Sequence, residues 1–189
     1  MIRISKPVIG NEEIRNVKNV LLSGNLVQGK NVRAFEKQFS EYIGAKYGIA
    51  VNSGTAALMV GLQALGIKSN DLVITTPFTF IATSNAILYN NARPVFADIE
   101  PDSFNIDPAK IEEKITEKTK AVIVVHLYGN PCDMGKITDI CKKHNLLLIE
   151  DCAQAAGAEY NGRKLGSFGD LSIFSFYPSK NITTGEGGM

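Results

Sequence analysis

Two uninterrupted apolar runs constrain the fold of this 189-residue chain more than any other feature. Residues 121–127 read AVIVVHL and residues 146–151 read LLLIED, without the polar alternation of a strand that has one wet face. Strands of this kind are buried on both faces, as they are in parallel sheets covered by helices. The chain must therefore supply helices to both sides of a sheet.

Strand and helix patterns alternate along the rest of the chain. Residues 11–23 repeat Ile14, Val17 and Leu21 at helical spacing, and Asp107 followed by Pro108 is a typical helix start. This alternation predicts an α/β fold with a mostly parallel sheet, and it leaves the strand order open. The predicted helices are residues 11–23, 30–43, 54–65, 79–89, 107–118 and 133–144, and the predicted strands are residues 48–51, 71–77, 92–99, 121–127, 146–151 and 171–177.

Charge and cysteine content exclude several functional classes. The 20 basic and 19 acidic residues nearly cancel, which argues against the wide basic face of a nucleic-acid binder. Cys132, Cys141 and Cys152 form no Cys-x-x-Cys pair, so we expect reduced thiols and no metal site. Residues 1–10 lack the apolar core of a signal peptide, and no run has the length of a membrane span. We expect a soluble, cytoplasmic protein.

Ligands of parallel α/β sheets gather beyond the carboxyl ends of the strands, so polar residues at those positions are site candidates. NSGTAAL at residues 52–58 follows a predicted strand and opens a helix. Its small residues and free N–H groups suit a phosphate, whereas an ordinary Ser or Thr helix cap is the alternative that this motif alone favours.

Asp151 and Gln154 follow the second apolar run, in IEDCAQAAGA at residues 149–158. A buried carboxylate without a partner is costly, so Asp151 requires a cationic or hydrogen-bonding partner, and a protonated ring nitrogen would serve. Gln154 can hydrogen-bond the same ligand. A helix-capping carboxylate and a simple surface amide are the respective alternatives.

Two further segments carry candidates. FSFYPSKN at residues 174–181 places Ser175 in a predicted strand and Lys180 at the break that follows, where a lysine can project into a cleft, although most single lysines are solvated. TPFTFIAT at residues 76–83 places Phe78 and Phe80 at a strand end, where they can stack on a flat ring or pack in the core. His126 reads as a structural buried histidine.

Taken in order, these segments resemble the DegT/DnrJ/EryC1/StrS family of sugar aminotransferases, which depend on pyridoxal 5′-phosphate (PLP). Each motif is weak alone, but five in the same order are specific, and the likeness extends from about residue 25 onward. The resemblance implies the large domain of a fold-type I PLP-dependent transferase. The matching stretches are NSGTAAL, TTPFTFIATSNAI, NIDPAKIEEKITEKTKAVIVVHLYGNP, LLLIEDCAQAAGA and GDLSIFSFYPSKNITTGEGGM.

The resemblance also implies a role for each candidate. Lys180 matches the lysine that holds PLP as a Schiff base and then moves a proton, and Asp151 matches the carboxylate that faces the pyridine nitrogen. Gln154 matches the amide beside the ring hydroxyl, and Phe80 matches the aromatic residue that stacks on the ring. The phosphate is expected at Thr55, Ser175 and the backbone N–H groups near Gly54 and Ala56.

The implied activity is transfer of an amino group, with glutamate as donor, to a nucleotide-diphosphate keto sugar by a homodimer. A branch of the family that dehydrates sugars has histidine at the lysine position, so Lys180 favours transamination. A non-catalytic PLP-binding regulator on the same fold is one alternative. A nucleotide-binding module that uses SGTAAL for phosphate is another.

Chain length departs from the family pattern. Family members are longer and carry a smaller C-terminal domain, whereas this sequence stops at TGEGGM. We therefore expect residues 1–189 to form the PLP-binding large domain of a longer architecture, apparently incomplete at its C-terminus. We also expect this polypeptide alone to be poorly stable or inactive.

Overall fold

A computed structural model describes residues 5–189, and its centre is a five-stranded parallel sheet in the spatial order β2 (Arg93–Phe96), β1 (Leu72–Thr75), β3 (Thr119–Val125), β4 (Leu147–Asp151) and β7 (Leu171–Ile173). The predicted α/β class and the mostly parallel sheet are confirmed. The strands are β1 Leu72–Thr75, β2 Arg93–Phe96, β3 Thr119–Val125, β4 Leu147–Asp151, β5 Glu159–Tyr160, β6 Arg163–Lys164 and β7 Leu171–Ile173, and the helices are α1 Asn11–Ser23, α2 Lys30–Ile43, α3 Gly54–Ala64, α4 Ala82–Tyr89, α5 Pro108–Glu113 and α6 Met134–Lys143.

Helices cover both faces of the sheet, as the apolar runs predict. Successive side chains of a strand point to opposite faces. In β3, Val122 and Val124 belong to a core that includes residues of α2, α5 and α6, whereas Ala121 and Ile123 belong to a second core with residues of α3 and α4. The sheet therefore has two buried faces, which accounts for the absence of polar alternation in β3 and β4.

Helices α1 and α2 have the predicted bounds, because a glycine ends each of them. Gly24 and Gly44 adopt left-handed φ angles of 69° and 84°. Glycine adopts this conformation without steric cost and commonly ends helices. The apolar face of α1 does not pack against the described residues, however, since Ile14, Val17 and Leu21 remain 57%, 59% and 62% exposed.

The predicted strand at residues 48–51 is wrong. Only Val51 is paired, through an isolated antiparallel bridge to Gly188 in which each residue's N–H bonds the other's carbonyl at 2.9 Å. A strand needs a neighbouring strand along its length, and in residues 5–189 the facing backbone is Gly188 alone.

Several other elements are shorter than predicted, among them β1 and β2, which span four residues each where residues 71–77 and 92–99 were expected. Helix α4 begins at Ala82 rather than at residue 79. Helix α5 is capped by Asp107, whose side chain accepts from the Ala109 N–H at 2.8 Å, but it ends at Glu113 because residues 114–118 form the turn into β3. Strand β7 ends at Ile173, so Ser175 lies beyond the strand and pairs with Gly188 instead.

The sequence reading missed the hairpin of β5 and β6. Asn161 and Gly162 join these strands with φ angles of 51° and 76°. Positive φ at both central residues is the pattern of a type I′ turn, for which Asn-Gly is the preferred pair. The dipeptide in EYNGRK was therefore a usable signal.

The remaining expectations concern membrane-spanning helices, the cysteines and the N-terminal residues. Within residues 5–189 no helix combines the length and apolarity needed to cross a membrane. Cys132, Cys141 and Cys152 are free and buried. The prediction about residues 1–10 falls partly on residues 1–4, which lie outside the described residues.

Candidate active site

A cavity of about 420 Å³ lies at the carboxyl ends of β3, β4 and β7, and Val125, Asp151 and Ile173 from those ends line it. Parallel strands bring their carboxyl ends to one edge of the sheet, so residues distant in sequence meet there. Seven of the eight predicted site residues line this cavity, namely Gly54, Thr55, Phe80, Asp151, Gln154, Ser175 and Lys180.

Asp151 is the last residue of β4 and is 5% exposed. Its Oδ2 accepts a hydrogen bond from the Thr83 hydroxyl at 2.9 Å, and its Oδ1 accepts from the Ala153 N–H at 3.1 Å. Burial raises the pKa of Asp151 above the ordinary aspartate value, although these two bonds and the charge of Lys180 act in the opposite direction. A cationic ring nitrogen beside this carboxylate would favour its charged form.

Lys180 follows a turn in which its backbone N–H donates to the Tyr177 carbonyl at 2.9 Å. Its side chain lines the same cavity as Asp151, and its charge lowers the pKa of that aspartate. The structure thus places Lys180 in the cleft rather than on the solvated surface. Its covalent bond to a cofactor stays a prediction.

The first turn of α3 meets Ser175 closely because residue 54 is a glycine. A Cβ at Gly54 would lie 2.8 Å from the Cβ of Ser175, a separation that real side chains do not adopt. Thr55, Ser175 and the start of an 11-residue helix therefore converge on one wall of the cavity. Hydroxyls and backbone N–H groups at a helix N-terminus are suited to a phosphate.

Ala56 is the predicted site residue that does not line the cavity. Its backbone N–H donates to the Ser53 hydroxyl at 3.1 Å, so Ser53 caps α3 in the ordinary way. The alternative reading of NSGTAAL as a helix cap is correct for Ser53. A phosphate contact from Ala56 stays a prediction, and it would require this N–H to bond both the Ser53 hydroxyl and the phosphate.

Gln154 is oriented by a backbone contact. Its Oε1 accepts from the Tyr128 N–H at 2.7 Å, and Tyr128 has a left-handed φ of 55°. An N–H can bond the amide only through its oxygen, so the two hydrogens of the Gln154 amide nitrogen are left for other acceptors. A donor of this kind is what a phenolate oxygen on a ring would require.

Phe80 and Phe78 are not core residues. Phe80 lines the cavity and is 70% exposed. Phe78 is half-exposed and lies against Phe104, with ring centroids 5.9 Å apart. The core-packing alternative is therefore wrong for both, and Phe80 is placed where it can stack on a flat ligand.

Thr79 and Thr83 also line the cavity, and the sequence reading did not select them. Thr83 is 1% exposed and bonds Asp151, while the Thr79 and Thr83 hydroxyl oxygens are 3.2 Å apart. The predicted helix from residue 79 would have put these two threonines on one face, but α4 begins at Ala82, so Thr79 reaches Thr83 from the turn before the helix. What no pattern could supply is the position of Asp151, 68 residues along the chain.

His126 is buried in a network beneath the cavity, in agreement with its structural reading. Its Nδ1 accepts from the Cys132 N–H at 3.2 Å, so Nε2 carries the hydrogen that points to Glu150 Oε2 at 3.2 Å. The carboxylate of Glu150 also accepts three backbone N–H bonds, from Gly166, Phe168 and Gly169. Cys152 lies beside this pair, but both ring nitrogens of His126 are already used by protein groups.

Comparison with known proteins gives a consistent result. The model of the DegT/DnrJ/EryC1/StrS aminotransferase family matches residues 7–189. The spore coat polysaccharide biosynthesis protein SpsC of Bacillus subtilis is 50% identical over 98% of this chain and 48% of its own. The GDP-perosamine synthase of Caulobacter vibrioides is 51% identical over 85% of this chain and 43% of its own.

Solved structures share the fold. The putative sugar aminotransferase Spr1654 of Streptococcus pneumoniae superposes in its PLP-form with a TM-score of 0.94 and 35% identity, over 99% of this chain and 52% of its own. Its PMP-form superposes with a TM-score of 0.96 and 34% identity, over 100% of this chain and 51% of its own. The chain spans about half the length of the proteins that it matches.

Proposed function

This chain belongs to the DegT/DnrJ/EryC1/StrS aminotransferase family, and we propose that its protein uses PLP to place an amino group on the keto carbon of a nucleotide-linked sugar. The observation that carries the proposal is the cavity shared by Asp151 and Lys180. A buried carboxylate and an amine at one cavity are the two groups that PLP chemistry needs on the protein side.

The residues of the cavity suit PLP part by part. Thr55, Ser175 and the start of α3 would hold the phosphate, and the Gln154 amide nitrogen would donate to the ring hydroxyl. Phe80 would cover the ring face. Asp151 would hold a proton on the ring nitrogen, because a buried carboxylate is stabilised by an adjacent cation.

PLP, when bound, supplies an electron sink for the electrons that remain when the Cα proton of the donor leaves. Lys180 would first hold the cofactor covalently and then serve as the base that moves this proton. Asp151 would keep the ring nitrogen protonated, which lets the ring accept those electrons. Phe80 and the buried wall formed by Leu58, Ala82 and Ile173 limit the access of water.

We propose a nucleotide-diphosphate keto sugar as acceptor, glutamate as donor and a homodimer as the active form. The family membership and the names of the relatives, which include GDP-perosamine synthase, support the acceptor class. The donor and the homodimer rest on the resemblance in the sequence. The exposed aromatic residues at the cavity mouth are compatible with a second subunit there.

The test is covalent trapping followed by turnover. Borohydride reduction of the PLP-loaded protein and peptide mass mapping should place the pyridoxyl mass on the peptide that contains Lys180. Lys164→Ala, which removes a lysine outside the cavity, should leave the label unchanged, whereas Lys180→Ala should abolish it. Label on a different lysine would contradict the assignment.

An amino donor distinguishes the enzyme from a regulator on the same fold. Addition of glutamate should convert the absorbance band of bound PLP, and a panel of nucleotide keto sugars should restore it and identify the acceptor. A protein that binds PLP on Lys180 but gives no conversion with any donor would support the regulatory alternative. Failure to bind PLP at all would support a nucleotide-binding module.

A further inference from the structure

The carboxylate of Asp151 is held from two directions. The Ala153 N–H, two residues along the chain, occupies Oδ1, and the Thr83 hydroxyl of α4 occupies Oδ2. A carboxylate can only accept, so the single hydrogen of the Thr83 hydroxyl must point to Asp151. The Thr83 side chain is buried, and no solvent competes for that hydrogen.

Thr79 is the first donor in a series of hydrogen bonds that ends at Asp151. Its Oγ1 lies 3.2 Å from the Thr83 Oγ1, and distance alone would allow either hydroxyl to donate. Because the Thr83 hydrogen is used by Asp151, Thr79 must be the donor to Thr83. The hydrogen bonds therefore run from Thr79 to Thr83 to Asp151, and all three residues line the cavity.

We propose that Thr83 is a positioning residue for amino transfer, which keeps the Asp151 carboxylate ionised and directed at the cofactor ring nitrogen, and that Thr79 orients the Thr83 hydroxyl. This inference rests on the proposed function. A hydroxyl that donates to a carboxylate stabilises its charged form. The Ala153 contact can fix only one oxygen, so Thr83 is needed to fix the plane of the carboxylate.

The other groups that face Asp151 do not replace Thr83. Lys180 favours the ionised carboxylate through its charge, and the hydrogen of His126 points to Glu150, so neither side chain donates a hydrogen bond to Asp151 in the described chain. Cys152 adjoins Asp151 with a thiol whose pKa is raised by burial, so it adds no charge at neutral pH. The orientation of Oδ2 therefore depends on Thr83.

The experiment uses the full-length protein loaded with PLP that carries ¹⁵N in its ring. Thr83→Val removes the hydroxyl and keeps the branched shape, so the proton shared between the ring nitrogen and Asp151 should move toward Asp151. The ¹⁵N resonance should shift toward that of a neutral pyridine, and kcat should fall on the order of tenfold with little change in donor KM. Thr83→Ser should restore the wild-type resonance.

Two further variants keep the result decisive. Thr138→Val removes a hydroxyl that bonds the Met134 carbonyl in α6, away from the cavity, and should change nothing. Thr79→Val leaves the buried bond intact and should shift the ¹⁵N resonance by a smaller amount, which provides a test even if Thr83→Val does not fold. Wild-type resonances in Thr79→Val and in any folded Thr83→Val would overturn the inference. A wild-type protein that binds no PLP would instead overturn the proposed function, and the inference with it.

Discussion

Asp151 is almost inaccessible to solvent, yet its proposed role requires its carboxylate to be charged. Asp151→Asn keeps the shape and one acceptor oxygen, which suffices for the Ala153 N–H, but it replaces the oxygen that accepts from Thr83 by a donor and removes the charge that would hold a ring proton. We expect retention of PLP through Lys180 and a loss of turnover of about a hundredfold or more. Single-turnover kinetics with glutamate, beside the absorbance of bound PLP, measures the two effects separately.

Asp102→Asn serves as the control, because Asp102 is an exposed residue in a turn outside the cavity. It should turn over like the wild type. Near-normal turnover in Asp151→Asn would mean that Asp151 acts only through its hydrogen bond to the Ala153 N–H.

Residue types in the strand-end motifs were sufficient to select several polar groups of the cavity wall. They selected Asp151, Gln154 and Lys180 because polar residues that follow buried strands must find partners at the same sheet edge. They did not select Thr83, which lies in α4 and whose partner Asp151 ends β4. The direction of its hydrogen bond depends on three-dimensional placement, which spacing along the chain does not encode.

At the scale of elements, the contact between the start of α3 and Ser175 should control cofactor affinity. Gly54→Ala would bring a methyl group within 2.8 Å of the Ser175 Cβ and push the helix start away. We expect a PLP dissociation constant raised about tenfold or more, comparable to the loss of a charge-assisted hydrogen bond in Thr55→Ala or Ser175→Ala. Titration of the apo proteins with PLP measures this.

Gly10→Ala is the control for Gly54→Ala, because Gly10 is also at the start of a helix, as the N-cap of α1, but lies away from the cavity, with only the flexible end of Glu13 nearby. It should leave PLP affinity unchanged. An unchanged dissociation constant in Gly54→Ala, Thr55→Ala and Ser175→Ala together would remove this wall from the phosphate site.

The Glu150 carboxylate of β4 accepts backbone hydrogen bonds from the loop before β7. We expect these bonds to make the stability of the fold depend on pH. Burial raises the pKa of Glu150, but bonds from His126, Gly166 and Gly169 outweigh it and hold the pKa below the ordinary value. A lowered folded-state pKa gives stability that is present above the unfolded-state value, about 4.3, and is lost as the pH falls through the folded-state pKa.

Glu150→Gln should therefore lower the free energy of unfolding at pH 7 by about 3 kcal/mol or more, because an amide cannot accept all four bonds. Urea titrations at pH 7 and pH 4 measure it, and the variant should lose less stability between them than the wild type does. Glu117→Gln, at an exposed position, is the control. Equal pH dependence in Glu150→Gln and the wild type would contradict the role of this carboxylate.

Elements were predictable where local signals agree with tertiary packing. Helices α1 and α2 have both a 3.6-residue pattern and a terminal glycine, so their bounds were correct. The predicted strand at 48–51 failed because a strand depends on a distant neighbour, and the apolar run does not reveal that only Val51 finds one. The end of β7 failed for a related reason, since apolar residues beyond Ile173 pack in the core without a parallel neighbour.

At the scale of the whole molecule, the exposed apolar side chains of residues 5–189 include two groups that bear on association. One is the face of α1 that carries Ile14, Val17 and Leu21. The other is at the cavity, where the lining residues Phe80 and Tyr177 are exposed. Contiguous apolar patches on a protein surface mark sites of association. Both places are therefore candidates for the contacts that the proposed homodimer requires.

Residues 1–189 as an isolated polypeptide should therefore associate through these surfaces and show little or no amino transfer. Val17→Lys combined with Leu21→Glu places charges on the apolar face of α1, and we expect it to shift the polypeptide toward smaller species. Asn16→Lys combined with Asn19→Glu, on the opposite face of the helix, should not, because those positions are polar already. Light scattering after size exclusion gives the mass, and an assay of amino transfer gives the activity of the same fractions. A monodisperse monomer of 189 residues with full aminotransferase activity would contradict this prediction, because every group that catalysis needs would then lie in the sequence of one chain.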